Sequence, residues 1–214
     1  MYNPPAFIET RDNELREIMR AASLPVLVSP GRDGLLATHL PLRYEAPDRL
    51  VGHVARANPH WRDFDPSANS LAIFTAAEGY VSPSWYATKV ENGRVVPTWN
   101  YQAVHATGRL EIVEEPLELL AIVTGLTKHH EEPRAKPWAV SDAPGDYIAA
   151  QLKGIVGIIL HITQLEGKAK LSQNKSVADQ QGVIQGLSAE NLDLAEAMQR
   201  SFDAQTSLPA KGGK

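Results

Sequence analysis

The sequence predicts a mainly β, α+β chain: a core of six or more strands with helices at its periphery. Three observations lead there. Short apolar stretches at 24–28, 34–40, 50–54 and 71–75 follow one another about a dozen residues apart, divided by turn residues. Helical period is confined to 10–22, 116–128, 146–152, 177–184 and 189–202. Glycine and proline stand at 15 each, a content that favours turns over a helix bundle.

The elements follow in order. Leu15, Ile18 and Met19 sit three to four apart, and Thr10 or Asp12 can cap the helix that carries them. Pro30-Gly31-Arg32-Asp33-Gly34 is a strong turn between the first two strands. Strands are expected at 80–86 and 95–113, with Asn92-Gly93 as a hairpin turn between them and Gly108 as the place for a bend. Pro116 suits the first turn of the next helix. The Ile-rich run 155–165 reads as a buried strand, and Ser188 can cap the last helix. No repeat and no linker divides the chain. We expect one domain over 1–208 and a disordered tail at 209–214.

Composition narrows the function classes. Hydrophobic residues make up 43% and charged residues 21%, an ordinary globular balance, and a chain of 214 residues can bury roughly 70% of its surface without staples. Cysteine is absent, which removes disulfide frameworks, Cys-based zinc sites, iron–sulfur clusters and thiol catalysis. The N-terminus shows no basic, apolar leader, and no apolar run reaches the ~20 residues of a membrane span, so a soluble cytoplasmic protein with no membrane partner is expected. A net charge of −4 lends no support to DNA as a partner, although a local basic patch stays open. The seven histidines form no metal-ligand spacing, and no metal is assigned. Neither a nucleophile elbow nor a Gly-rich dinucleotide or Walker loop is present.

Four stretches carry candidate chemistry, each with a plain alternative. Around 52–61, Asn58 can cap a short helix with Pro59 at its first position. His53 and Arg56 beside that terminus would make a phosphate seat; the alternative is an ordinary strand-to-helix turn with a surface arginine. In 80–86, Pro83 interrupts a strand, and Trp85 and Tyr86 could wall a planar ligand with Lys89 near an anion; aromatic core packing is the alternative. In 96–105, Thr98, Asn100 and Gln102 share one face of a strand and suit the mixed edge of a heterocycle, or else face solvent. Residues 167–175 gather three lysines with small polar residues, as an anion-binding loop or as a solvated turn.

Taken together, Met1-Tyr2, Ala37-Thr38-His39-Leu40-Pro41, 52–61, Ser82-Pro83-Ser84-Trp85-Tyr86 with Lys89, Val96-Pro97-Thr98-Trp99-Asn100-Tyr101, Ile155-Val156-Gly157 and 167–174 resemble the PaiB-type FMN-binding negative transcriptional regulators. The resemblance runs from residue 1 to about residue 200. It implies an FMN-binding split β-barrel, usually a homodimer holding FMN near the subunit interface. On this chain it makes His53, Arg56 and Asn58 phosphate-side candidates and Trp99 and Asn100 ring-side candidates. Ser84, Lys89, Lys170 and Gln173 lie in the segments that would close the site, with the partner subunit as one source of that closure. Two functions follow from it: a flavin-binding transcriptional regulator, or an FMN-dependent oxidoreductase or flavin reductase. The acidic balance and the lack of a helix-turn-helix with a basic second helix lend weight to the second.

Overall fold

The computed structural model describes residues 1–206. The expected tail therefore lies outside the described residues. Eight strands form one antiparallel-paired sheet: β1 (Ile8–Glu9), β2 (Val26–Gly31), β3 (Gly34–His39), β4 (Arg43–Glu45), β5 (Arg49–Ala55), β6 (Ser70–Val81), β7 (Thr98–Val113) and β8 (Ile155–Lys170). Their order is β3-β2-β6-β7-β8-β5-β4, with β1 added on β8. Among the described residues seven α-helices accompany them: α1 (Asp12–Ala21), α2 (His60–Asp63), α3 (Thr88–Asn92), α4 (Pro116–Glu131), α5 (Gly145–Leu152), α6 (Val177–Leu187) and α7 (Leu192–Thr206).

The chain forms two compact units. The first comprises Met1–Ala21, Thr75–Val104 and the described residues from Glu166 on; the second comprises Ala22–Phe74 and His105–Leu165. The chain passes between them several times, and β6, β7 and β8 each contribute to both. No single linker marks the division, which is why none is visible in the sequence.

The second unit holds the tight β2–β3 hairpin. Gly31 pairs with Gly34, and Gly34 takes φ 126°, which a residue with a Cβ would resist. Its helix α4 begins on Pro116, ends with Lys128, His129 and His130 at the negative end of the helix dipole, and packs Leu119, Ile122 and Leu126 against Val51, Val113 and Ile159. The first unit builds its core from Val81, Tyr86, Leu171, Val183, Leu187, Leu194 and Met198. There α6 starts on Ser176, whose hydroxyl accepts from the Asp179 N–H at 3.2 Å. Among the described residues no helix is long and apolar enough to cross a membrane.

Several expectations are corrected here. The 80–86 stretch is not a strand: β6 ends at Val81 and a 3-10 turn, Pro83–Trp85, follows. Asn92-Gly93 closes no hairpin. Gly93, at φ 69°, ends α3 by donating its N–H to the Lys89 carbonyl. The last helix is capped not by Ser188 but by Asn191, whose Oδ1 accepts from the Leu194 N–H at 3.1 Å. Residues 167–170 are strand rather than loop.

Candidate functional site

Period-2 geometry places Lys168 and Lys170 on the same face of the β8 end. Lys168 is buried, donates to the Tyr2 carbonyl at 3.0 Å and sits 5.1 Å from the Tyr101 ring centroid. Lys170 donates to Thr98 Oγ1 at 2.5 Å and to the Trp99 carbonyl. The chain then turns sharply. Ser172 takes φ 66°, and the Gln173 carboxamide clamps the turn by accepting from the Leu171 N–H at 2.7 Å and donating to the Ala169 carbonyl. The turn delivers Lys175, whose ammonium lies 5.3 Å from the Tyr86 ring centroid. Burial, and then the charges of Lys168 and Lys175, hold the Lys170 ammonium below the ordinary lysine range. Both acceptors that Lys170 reaches are neutral.

A cavity of about 220 Å³ opens beside this group, lined among others by Tyr86, Thr98, Asn100, Lys170, Ser172 and Lys175. Asn100 is fully buried; its Nδ2 donates to Ser172 Oγ at 2.9 Å and reaches Met198 Sδ at 3.3 Å. Its Oδ1 and the Tyr86 hydroxyl are buried without a hydrogen-bond partner of normal geometry. Burial, and then the Asp179 carboxylate, push the phenol up, while the Ser172 hydroxyl acts the other way. A buried polar atom left unpaired costs about 1–3 kcal/mol, so two of them beside excess positive charge fit an anionic, hydroxyl-bearing ligand. A phosphate on a polyol chain answers both needs.

The second unit holds His53, Arg56 and Asn58. Arg56 follows the end of β5 and distributes its guanidinium over the Lys153 carbonyl (2.9 Å), the Ile155 carbonyl (3.1 Å) and Glu114 (2.6 Å). Asn58 Oδ1 accepts from the His60 N–H at 2.9 Å and its Nδ2 donates to Thr38, but the cap position of α2 falls one residue later than expected, on Pro59. His60 is buried, with Nδ1 2.9 Å from Thr38 Oγ1 and Nε2 2.8 Å from Ser29 Oγ; Ser29 continues to Ser70 at 2.7 Å. The cross-strand neighbour of His53 is Gly157, which offers no side chain, and His53 Nδ1 is buried without a partner. Burial holds both imidazoles below their ordinary range.

The closing segments divide. Lys89 donates to Ser84 Oγ at 3.2 Å on the surface of the first unit. Trp85 lies flat on α6, where a Cβ on Gly186 would come within 2.5 Å of its indole and one on Gly182 would strike its carbonyl. Tyr86 is 3% exposed and both belongs to the core and borders the cavity, whereas Trp85 packs on α6 rather than walling a planar ligand. Trp99 is half exposed, with Nε1 3.4 Å from Glu78. The polar row of β7 faces inward at Asn100 and Gln102, and the solvent-facing alternative fails there. The sequence groups Lys168, Lys170 and Lys175 in one anion-binding stretch, but only Lys170 is carried forward from it as a site candidate. The i, i+2 spacing of Lys168 and Lys170 was the available signal, and reading 167–175 as a loop hid it.

The family model described as "Putative FMN-binding domain" matches residues 1–164. The Bacillus subtilis (strain 168) Protease synthase and sporulation protein PAI 2 is 34% identical over 201 residues, covering 92% of this chain and 94% of that protein. The chain belongs to this FMN-binding domain family. The PaiB-type resemblance is thereby borne out. Among solved structures, the FAD and heme binding protein from Mycobacterium smegmatis superposes with a TM-score of 0.56 at 13% identity, covering 81% of this chain and 78% of that one. The flavocytochrome Anf3 from Azotobacter vinelandii gives 0.54 at 14% identity, with coverages of 76% and 68%. These likenesses, with the antiparallel eight-stranded sheet, bear out the expected split-barrel fold class.

Proposed function

We propose that this protein is a flavin-responsive regulator that binds FMN with the phosphate on the Lys170 cluster. One observation carries the reading: Lys170 lies among two further lysines, touches only neutral acceptors, and borders a cavity with two unpaired buried polar atoms. Lys170 and Lys175 would hold the phosphate, with the Tyr86 and Ser172 hydroxyls donating to it. Asn100 Oδ1 would accept from a ribityl hydroxyl, and the exposed indole of Trp99 offers a face for the ring. When bound, FMN supplies reversible one- and two-electron transfer. The cavity is smaller than the roughly 300–1,000 Å³ of a complete small-molecule site, so it takes one end of the cofactor. In the homodimer reading a second copy of the chain would cover the remainder. The name of the Bacillus relative, which links it to protease synthesis and sporulation, supports regulation. A second reading, an FMN-dependent oxidoreductase, draws on the acidic balance of the chain.

Titration of apo-protein with FMN and with riboflavin tests the seat. FMN should bind saturably and more tightly than riboflavin, and Lys170→Met should weaken FMN about tenfold or more while leaving riboflavin unchanged. Equal FMN affinity in both proteins would remove Lys170 from the phosphate. Salt-sensitive preference for promoter over random DNA supports the regulator; NADH oxidation above a free-FMN control supports the enzyme.

A further inference from the structure

A second cavity in the first unit, about 590 Å³, has no part in the seat just described. Its walls come from the N-terminal segment, β7, β8 and α7. Ile8, Ala169, Leu171 and Ala197 give it apolar surface. Gln102 lines it, is 8% exposed, and its carboxamide has no hydrogen-bond partner among the described residues. Other polar groups there have partners: buried Glu9 is held by the Arg11 guanidinium at 2.6 and 3.0 Å, Glu14 lies 3.9 Å from the same guanidinium, and half-buried Gln173 clamps its own turn. Arg200 also lines the cavity, with its nearest carboxylate, Glu196, at the long distance of 4.0 Å.

A carboxamide on a side chain more than nine-tenths buried, with both its donor and its acceptor unused, is complementary to a flat edge that offers an acceptor beside a donor. The apolar surface suits a ring, and Arg200 suits an acid group. We infer that this cavity is a binding site for a small planar heterocycle carrying a lactam or carboxamide edge together with a carboxylate or phosphate. FMN itself has such an edge and such a group, so the test must separate a second ligand from the flavin.

Orotate, which has both features, is titrated calorimetrically into FMN-loaded protein, with uracil (edge only) and benzoate (acid only) as comparisons. Orotate should bind about tenfold more tightly than either. Gln102→Leu should abolish its advantage over benzoate, and Arg200→Gln its advantage over uracil, with the FMN affinity of both variants unchanged. Absence of orotate binding at millimolar concentration, or an affinity indifferent to both substitutions, overturns the inference. So does one-for-one displacement of orotate by FMN, which would assign the cavity to the flavin. Because Arg200 lies on the surface of α7, its variant keeps the test decisive should Gln102→Leu fail to fold.

Discussion

Arg56 and Lys170 are both cations that the sequence offers as phosphate ligands, and the structure treats them in opposite ways. Arg56 meets a carboxylate and two carbonyls, so its charge is neutralised within the fold. Lys170 meets a hydroxyl and a carbonyl and has two other ammonium groups as its electrostatic neighbours. A cation already paired serves the scaffold, whereas one crowded by like charges is stabilised by an arriving anion. The amino-acid type does not separate the two cases; the sign of the surroundings does.

The contrast can be broken by substitution. Arg56→Ala should give the largest loss of stability, about 2 kcal/mol or roughly 4–8 °C in Tm after allowing for partial exposure of the side chain, with FMN affinity retained. An unchanged Tm with a tenfold loss of FMN affinity would reverse the two roles. Lys170→Met should do the converse: the tenfold or greater loss of FMN affinity already described, with a Tm no lower than wild type, since like-charge repulsion is relieved. Asn100→Leu should weaken FMN by about tenfold or less and shift the apo Tm by only a few degrees, because an unpaired carbonyl leaves with the amide. A Tm collapse without loss of FMN would make Asn100 purely structural. The smallest effect is on pH dependence. Burial lowers the folded-state affinity of His53 and His60 for protons, so the unfolded chain binds more of them. Stability is therefore full above the ordinary imidazole range and declines as pH falls through it towards the lowered folded values. A Tm flat from neutrality to pH 5 would contradict the burial of these rings.

The sheet and the long helices were legible because their periods are sustained. Leu15, Ile18 and Met19 on α1 repeat at helical spacing and bury together; on α4 the period showed at Leu117, Leu120 and Ile122 or Val123, but the buried set is Leu119, Ile122 and Leu126, with Leu117 exposed. The region from 80 to 95 was misread for a chemical reason. Glycine in the left-handed region serves hairpin turns and helix C-caps equally, and only the Gly93 N–H to Lys89 carbonyl bond tells which is present. In the candidate site, alternation correctly grouped Thr98, Asn100 and Gln102, but period 2 cannot say which face of a strand is covered. That information lies in α7, almost a hundred residues later, where Met198 meets Asn100. Arg56 illustrates the same limit, since its partners Glu114, Lys153 and Ile155 are remote in sequence.

Ser172 sits where a β-carbon is unwelcome, at φ 66°, a conformation that costs a non-glycine residue on the order of 1–3 kcal/mol. Its hydroxyl is what Asn100 reaches for. Laboratory evolution for heat resistance alone would therefore drift towards glycine here, gaining degrees while erasing a recognition group. Durability and recognition thus compete at one backbone angle, and a serine kept at this corner under thermal selection would itself register a demand for binding.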